Sequence, residues 1–219
     1  MPEDVQTILI IDDHPLMRRG IVQLVAMESA LRLVGEAGNG QQGLALARQL
    51  RPDLILLDLN MHGLNGLETL KALKAIDPDS RVLILTVSDS EEDVVAALRL
   101  GADGYLLKDM EPEDVLYCLK TAAQGRIALG ERVAVILANA LRHEIQPKPF
   151  ESIHLTERER ETLELIAAGY SNKLIARQLK IAEGTVKVHV KHLLHKLNLG
   201  SRVEAAVWAV THLGEGAHR

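Results

Sequence analysis

Charged side chains of opposite sign follow three short apolar runs of this chain. Asp12 and Asp13 come directly after the first run, Asp58 ends the second, and Lys108 ends the third. If the three runs are neighbouring strands of a parallel sheet, these side chains meet at the edge where such sheets bind ligands. Three carboxylates and one ammonium group can hold a hard divalent cation and present one carboxylate to a phosphoryl group. The spacing therefore predicts phosphoryl transfer to an aspartate.

The charges at this edge assign a role to each side chain. A carboxylate attacks a phosphoryl group poorly because both are anionic, so a divalent cation, predicted to be Mg²⁺, must screen them. The predicted metal ligands share an oxygen donor and are Asp12, Asp13, Asp58 and Asn60. Asp12 would act through water and Asn60 through its backbone carbonyl. Asp58 is the predicted acceptor, and Lys108 and the hydroxyl of Thr86 are predicted to bind the phosphoryl oxygens.

The elements that position these residues follow from an alternation of apolar runs and amphipathic stretches, repeated five times. Runs of strand length occupy residues 7–11, 31–37, 54–58, 81–86 and 104–108. Stretches with helical periodicity occupy residues 15–27, 40–49, 67–76, 91–100 and 112–124. Five alternations predict an α/β domain with a doubly wound five-stranded parallel sheet and ligands at the carboxyl ends of its strands. The candidate residues at those ends are Asp12, Asp13, Asp58, Thr86 and Lys108.

Two of the residues near this edge also fit ordinary structural roles. Asp13 alone would serve as an N-cap for the helix that begins at Pro15. Tyr105, three residues before Lys108, fits either a ring that moves between exposed and buried positions with Thr86 or an ordinary half-buried ring. The functional prediction therefore depends on the whole set at one edge and not on any single member.

Charge is divided unevenly along the 219 residues. Residues 1–125 hold 11 Lys and Arg against 20 Asp and Glu, whereas residues 152–219 hold 10 against 7, with six of the nine histidines. An acidic front and a mildly basic tail are typical of a cation-binding module joined to a nucleic-acid-binding one. Hydrophobic residues make up 47% of the chain, which is enough to form buried cores in both.

Neither a membrane span nor a disulfide is expected. No apolar run reaches the roughly 18 residues of a membrane span, and residues 1–4 are acidic, unlike the start of a secretory signal. The chain is therefore predicted to be cytoplasmic. Its one cysteine, Cys118, lies in a helical stretch and is predicted to be a buried apolar residue.

The front of the chain resembles a response-regulator receiver domain over residues 5–125. The motifs that carry this resemblance are residues 10–15, 56–61, 85–86 and 104–109. The resemblance implies a flavodoxin-like sheet, transfer of phosphate from a sensor histidine kinase to Asp58, and a relay of the change through Thr86 and Tyr105. This chain departs from such receivers at His62, where a proline is usual. The loop beside the site therefore loses a φ restraint and gains a titratable donor.

Residues 126–153 are predicted to link two domains, residues 1–125 and residues 154–219. Apolar residues at helical spacing predict a helix over residues 131–142, and the two prolines of residues 143–150 then break it. Proline restricts this tether to extended conformations, so the two ends can reorient without moving far apart.

From Leu155 onward the sequence pattern is helical throughout. Thr156 is predicted to cap a helix that runs to Ala168, and three further helices are predicted over residues 173–179, 185–197 and 202–213. Two helices joined by a tight turn, the second of them basic, predict a small all-α four-helix domain of the helix-turn-helix kind. In such domains the later helix enters the major groove of DNA.

The predicted helix over residues 185–197 has one face for the core and another for DNA. Its inward residues are aliphatic and are Val186, Val190, Leu193, Leu194 and Leu197. Lys187, Val188 and Lys191 fall together on another side, where the ammonium groups reach phosphates or guanine edges and the valine reaches thymine methyl groups. Thr185 and His195 are further predicted DNA contacts. The alternative for the lysines is a solvated face, and a zinc site at the histidines lacks a completing carboxylate or cysteine.

This region resembles the LuxR-type DNA-binding domain in residues 155–159, 172–176 and 185–191. With the receiver-like part in front, nearly the whole chain resembles the NarL/FixJ class of response regulators. The stretches most similar to the nitrate/nitrite members of that class are residues 91–95, 101–114, 185–192 and 201–208. The resemblance implies a transcription regulator, not an enzyme. Its implied partners are a nitrate- or nitrite-responsive sensor histidine kinase and double-stranded promoter DNA. A second copy of the chain, bound through residues 202–213, and RNA polymerase are further predicted partners.

The start of the predicted recognition helix departs from such relatives. They usually carry a hydroxyl residue where this chain has Ala182 and a small polar residue where it has Gly184. Loss of an N-cap costs about 0.5–2 kcal/mol, so we expect the first turn to fray until DNA orders residues 182–186.

The charge asymmetry suggests how the two ends act together. The unphosphorylated receiver is predicted to pack against the recognition helix, and phosphoryl transfer to Asp58 to release that helix for dimeric promoter binding. Two alternatives remain open. A magnesium-dependent phosphatase or phosphotransferase would need a substrate pocket, for which no cap insertion is present, and a ligand-sensing LuxR-type regulator would not need three acids and a lysine at one edge.

Overall fold

Strands and helices alternate over the first part of the chain, and helices alone form the rest. The computed structural model describes residues 5–77, 80–144 and 155–213. Residues 1–4 and the two prolines of the predicted tether therefore lie outside the described residues. The strands are β1 (Gln6–Ile11), β2 (Leu31–Ala37), β3 (Leu54–Leu57), β4 (Arg81–Thr86), β5 (Gly104–Leu107) and β6 (Ala128–Leu129). The helices are α1 (Pro15–Ala26), α2 (Gly40–Leu50), α3 (Gly66–Ile76), α4 (Glu91–Arg99), α5 (Pro112–Ala123), α6 (Glu131–Glu144), α7 (Glu157–Ala167), α8 (Asn172–Leu179), α9 (Glu183–Leu197) and α10 (Arg202–Leu213).

The strands form a parallel sheet in the order β2-β1-β3-β4-β5-β6. This order confirms the predicted doubly wound sheet, but the sheet has six strands and not five. The additional strand is β6, which pairs with β5 through Gly104 and Ala128. A Cβ atom on Gly104 would overlap the Ala128 carbonyl oxygen, so glycine permits this close approach. A strand of two residues is too short to show a periodicity in the sequence, which is why it was not predicted.

Two hydrophobic cores cover the two faces of the sheet. Successive side chains of a strand point to opposite faces. In β1, Ile8 and Ile10 join the core formed with α1 and α5, whereas Leu9 and Ile11 join the core formed with α3 and α4. Because both faces are covered, the central strands are apolar except near their ends. The charged residues of the front part can therefore gather only at the ends of the strands.

Helix α6, predicted as part of a linker, is a packed element of the core. Val133, Leu137 and Ala140 of this helix are buried. The helix contacts α4 on one side and α10 on the other, and one apolar cluster extends from the sheet through α6 into the C-terminal helices. The front and back of the chain are therefore joined by apolar packing in this conformation.

The C-terminal part contains the four predicted helices, and side-chain caps fix the starts of α7 and α8. Thr156 and Glu159 form a reciprocal capping box at α7, and the Ser171 hydroxyl accepts the N–H of Leu174 at α8. An ion pair between the buried Glu159 and the exposed Lys196, 2.6 Å apart, connects the start of α7 to the end of α9. Helix α9 begins at Glu183, two residues before its predicted start. Among the described residues, the helices all lack the length and apolar character that a membrane crossing requires.

Candidate functional site

Two carboxylates and an ammonium group form a buried ionic cluster at the carboxyl ends of β1, β3 and β5. Ile11 pairs with Leu57 at the ends of β1 and β3, so the next residues, Asp12 and Asp58, lie side by side. Lys108 Nζ lies 2.6 Å from Asp58 Oδ2 and 2.9 Å from Asp12 Oδ2. Both carboxylates and the lysine are almost wholly excluded from solvent. The ammonium group therefore offsets two adjacent negative charges through charge-assisted hydrogen bonds.

Asp13 lies at the mouth of this cluster between two histidines. The backbone N–H of His62 donates to Asp13 Oδ2 over 3.0 Å, and His62 Nδ1 lies 2.6 Å from the same oxygen. His14 Nδ1 lies 2.9 Å from Asp13 Oδ1. Burial raises the pKa of Asp13, but the hydrogen bonds from His62 and the charges of both histidines outweigh it and hold the pKa below its usual range. The alternative role of Asp13 as an N-cap is wrong, because the N-cap position of α1 belongs to His14.

One oxygen atom of Asp13 has unused acceptor capacity. Asp13 Oδ1 is buried and accepts no hydrogen bond from the residues that the structure describes, since the approach of His14 lacks hydrogen-bond geometry. A buried unpaired acceptor marks a place for a water molecule or an ion. Asp12, Asp13, His14 and Asp58 each offer a ligand atom, and these atoms lie within 4.8 Å of one another. These residues therefore form one compact group of candidate metal ligands.

Asn60 connects the acidic cluster to Thr86. The backbone N–H of Asn60 donates to Asp58 Oδ1 over 3.1 Å, and its side-chain amide donates to Thr86 Oγ1 over 3.3 Å. Thr86 is completely buried, and its carbonyl oxygen accepts the N–H of Lys108. The structure thus brings Asp12, Asp13, Asp58, Asn60, Thr86 and Lys108 together. Use of the Asn60 carbonyl as a metal ligand stays a prediction.

Tyr105 occupies the buried one of its two predicted positions. Its ring is completely buried, and its hydroxyl donates to the carbonyl oxygen of Ser88 over 2.8 Å. Burial, and to a lesser extent the charge of Asp93, raises the pKa of the phenol, so the hydroxyl stays a donor. The half-buried alternative is therefore wrong for this conformation. The bond fixes the loop between β4 and α4, two residues after Thr86.

An open cleft of about 500 Å³ gives access to the cluster. Asp58, Asn60 and Lys108 form its floor, and Leu16 and Val87 are among the apolar residues of its rim. These two rim side chains are 82% and 69% exposed. A reactant can therefore approach Asp58 from this side although the carboxylate itself is buried.

The sequence predicted a role at the cluster for one of its two histidines but not for the other. His62 was expected to add a donor beside the site, and it contacts Asp13. His14 was not expected to contribute, although its Nδ1 lies 3.7 Å from Asp58 Oδ2 and 3.4 Å from Asp12 Oδ1. The only signal in the sequence is its position directly after the acidic pair.

The second candidate surface is the outer face of α9. Val186, Leu193 and Leu197 are buried against the other helices, as expected. The predicted DNA contacts are all exposed and are Thr185, Lys187, Val188, Lys191 and His195. Val188 is 50% exposed, which is unusual for a valine and leaves its methyl groups available to a partner. The DNA-binding role of this face stays a prediction.

The N-cap position of α9 is occupied by Ala182, which has no side-chain oxygen. Its dihedral angles of φ −69° and ψ 146° are those of an ordinary N-cap residue. The N–H of Thr185 instead donates to the Ala182 carbonyl oxygen over 3.0 Å, which tightens the first turn. The absence of a hydroxyl cap at this helix is thus a feature of the structure as well as of the sequence.

The two parts of the chain meet through α10 and not through the recognition helix. Helix α10 contacts α4 and α6, and Arg99 of α4 lies 3.8 Å from Glu204 of α10. Gly125, after α5, lies close to Ser171 at the start of α8. The prediction that the front part packs on the outer face of α9 is therefore wrong for this conformation, because the side chains of that face are exposed.

The fold and the two surfaces define a class of protein, and comparison with known proteins agrees. Residues 8–120 match the family described as response regulator receiver domain, and residues 154–209 match the family described as bacterial regulatory proteins, luxR family. The chain belongs to the response regulators, with an N-terminal receiver and a C-terminal LuxR-type helix-turn-helix. The predicted resemblance is confirmed.

Individual relatives match over nearly the whole chain. The nitrate/nitrite response regulator protein NarL of Escherichia coli K12 is 56% identical over 92% of this chain and 94% of its own length. The nitrate/nitrite response regulator protein homolog of Haemophilus influenzae is 49% identical over 94% of this chain and 96% of its own length. The crystal structure of response regulator ChrA, from a heme-sensing two-component system, covers 95% of this chain and 98% of its own with a TM-score of 0.51 and 31% identity.

Proposed function

We propose that this response regulator accepts a phosphoryl group on Asp58 from a sensor histidine kinase and then binds promoter DNA in response to nitrate or nitrite. The observation that carries the proposal is the buried pairing of Asp58 with Lys108, 2.6 Å apart, at the floor of an open cleft. The identity with the two nitrate/nitrite regulators over nearly the whole chain supports the signal.

The residues around Asp58 supply what the transfer requires. An Asp58 carboxylate oxygen forms a bond to phosphorus as the P–N bond of the phosphohistidine breaks, and the imidazole of the kinase leaves. The Lys108 ammonium, already beside the acceptor oxygen, then pairs with a phosphoryl oxygen. Thr86, linked to Asp58 through Asn60, donates its hydroxyl to another phosphoryl oxygen.

The carboxylates also fit a Mg²⁺ ion. Asp12, Asp13 and Asp58 offer the oxygen ligands that this hard cation prefers, and Asp13 Oδ1 is a buried acceptor with no hydrogen bond from the described residues. When bound, the ion neutralises charge between the acceptor and the incoming phosphoryl group. Asp13 remains ionised for this role because its pKa is held low.

The change at Asp58 reaches the DNA-binding part through α4. If Thr86 moves toward a phosphoryl group, the loop held by the bond from Tyr105 to Ser88 must adjust, and this loop leads directly into α4. Helix α4 contacts α10, and α6 contacts α10 as well, so both helices cover part of its surface. Release of α10 would allow a homodimer to form through Arg202–Leu213. The exposed face of α9 would then engage two half-sites of a promoter, where RNA polymerase is a further partner.

Acceptance of the phosphoryl group is tested with acetyl phosphate and Mg²⁺, followed by intact-mass measurement. The wild-type chain should retain one phosphoryl group and Asp58→Asn none, because acetate leaves only when a carboxylate oxygen of Asp58 attacks phosphorus. Asp109→Asn, which changes an exposed acid at the rim of the cleft, is the control and should still be labelled. Turnover of acetyl phosphate with no retained label would contradict the proposal and favour a phosphatase.

DNA binding is tested by footprinting with phosphorylated and unphosphorylated protein. Phosphorylation should tighten promoter binding, and Lys187→Gln and Lys191→Gln should weaken it because each removes a cation from the exposed face of α9. Lys173→Gln, which removes an exposed lysine from α8, is the matched control. Equal footprints with and without phosphorylation would refute the regulatory part. Transcription that responds to nitrate in the wild type but not in Asp58→Asn tests the signal.

A further inference from the structure

Two histidines place nitrogen donors at a pocket whose proposed chemistry uses only oxygen ligands. His14 Nδ1 lies 2.9 Å from Asp13 Oδ1, 3.4 Å from Asp12 Oδ1 and 3.7 Å from Asp58 Oδ2. His62 Nδ1 lies 2.6 Å from Asp13 Oδ2. One imidazole thus faces three carboxylates, and a second faces the outer oxygen of Asp13.

The separations between His14 Nδ1 and the three carboxylates fit ligands of one small divalent ion. Ligand atoms about 2.0–2.1 Å from a common ion stand roughly 3–3.5 Å apart, depending on the coordination angle. The three His14 distances lie near that range, and Asp13 Oδ1 is the buried acceptor that a cation would satisfy. Lys108 contacts the other oxygen of Asp12, so an ion beside His14 does not compete with the lysine for Asp12.

The donor types decide which ion such a set prefers. Mg²⁺ takes oxygen ligands almost exclusively, whereas imidazole nitrogen favours Zn²⁺, Ni²⁺ and related borderline ions. We propose that His14 turns the carboxylate pocket into a site for Zn²⁺ that competes with Mg²⁺, with His14 as the nitrogen ligand and His62 hydrogen-bonded to the outer oxygen of Asp13. The inference rests on the proposed function in one respect, namely that the carboxylates bind a divalent cation.

Occupation by Zn²⁺ would limit phosphorylation. The same three carboxylates serve both ions, so bound Zn²⁺ excludes Mg²⁺ from the position beside Asp58. Zinc at levels that saturate the site should therefore reduce labelling by acetyl phosphate, and a chelator that binds Zn²⁺ but not Mg²⁺ should restore it.

The affinities are measured by calorimetric titration of the full chain with Zn²⁺ and, separately, with Mg²⁺. Removal of a residue that only supports a metal ligand lowers metal affinity about 10–100-fold, so His14→Ala should lower Zn²⁺ affinity at least about 10-fold. The Mg²⁺ affinity of His14→Ala should change by less than about twofold, because the oxygen ligands are kept. The His14 side chain is 61% exposed, so its removal opens no core cavity. His192→Ala, which removes an exposed histidine from α9, is the control for surface binding and should change nothing.

A second readout reports the ligands directly. The visible spectrum of Co²⁺ bound in place of Zn²⁺ should change when His14 is removed, because the ligand field loses a nitrogen donor. Unchanged Zn²⁺ affinity and Co²⁺ spectrum in His14→Ala would overturn the inference, as would an equal loss in His192→Ala. Failure of the wild type to bind Mg²⁺ or to accept phosphate would instead contradict the proposed function, so the two failures are distinguishable.

Discussion

A single substitution at the start of the recognition helix tests how its first turn is held. Ala182 has nearly the same backbone angles as Thr156 and Ser171, which cap α7 and α8 with φ of −65° and −68° and ψ of 160° and 164°. In both of those helices the hydroxyl oxygen accepts a backbone N–H of the first turn. Ala182→Ser therefore adds a cap without any change of backbone conformation.

The expected gain is smaller than that of an ordinary cap. Exchanging alanine for a capping residue is worth about 0.5–2 kcal/mol. Here the N–H of Thr185 already donates to the Ala182 carbonyl oxygen, so the new hydroxyl replaces a bond and does not satisfy a free donor. We expect the free energy of unfolding to rise by about 0.5–1 kcal/mol, at the lower end of that range. Ala182 is exposed, so the added hydroxyl meets no packing constraint.

Two assays read this change. Urea unfolding followed by fluorescence of Trp208, the one tryptophan, reports the C-terminal helices, in which that ring is buried. Amide exchange of residues 182–186, with and without operator DNA, reports the first turn itself. Ala182→Ser should slow exchange in the free protein and reduce the additional protection that DNA gives.

The same two assays supply the control and the refutation. Thr156→Ala removes an existing cap from an exposed position and should lower the free energy of unfolding by about 1 kcal/mol. If residues 182–186 of the wild type are equally protected with and without DNA, the proposed fraying is refuted. If Thr156→Ala destabilises the protein but Ala182→Ser has no effect, the first turn of α9 does not need a hydroxyl cap.

Three further substitutions test separate parts of the structure. Gly66→Ala should destabilise the protein by about 1–3 kcal/mol in thermal unfolding, because a Cβ atom would overlap the backbone of Leu59; an unchanged melting temperature would contradict this. Burial raises the pKa of Glu159, but its bonds to Lys196 and to the α7 cap outweigh this and lower the pKa, so its contribution is full above pH 4.5 and is lost as pH falls through the lowered value. Glu159→Gln should therefore flatten the loss of stability on the acid side in urea unfolding at several pH values, and an unchanged slope would refute the assignment. Gly184→Ala should raise the free energy of unfolding by about 0.5–1 kcal/mol, since an added methyl group meets open space in a helix, and equal urea midpoints would contradict it.

The sheet and its ligand-binding edge could be predicted because each strand and the polar residue after it leave a local pattern in the sequence. Strands β1, β3, β4 and β5 each contain an apolar run, and the five predicted strands lie within one residue of their predicted bounds at each end. The first polar residue after such a run must leave the core. In a parallel sheet all such residues leave at the same edge, which is why Asp12, Asp58 and Lys108 were expected to meet.

Other features depend on contacts that have no local signal. The helix over residues 131–144 could be predicted from its apolar spacing, but the identity of its partners, α4 and α10, could not. A histidine after an acidic pair is equally compatible with solvent and with the pocket, so only the coordinates place His14 against three carboxylates. The two-residue β6 leaves no pattern at all.

The charge asymmetry led to the wrong interface because apolar burial outweighs exposed charge. Burial of apolar surface stabilises by about 25 cal/mol per Å², whereas an exposed ion pair contributes about 0–1 kcal/mol. Helix α10 contacts α6 and α4 within one apolar cluster, and Arg99 with Glu204 is an ion pair at the contact with α4. An acidic front and a basic α9 attract each other weakly and reversibly, but α10 is covered by packed helices. The proposed dimer through α10 would therefore have to replace that apolar contact. On this proposal, phosphorylation acts by changing the position of α4 and not through the charge of the receiver.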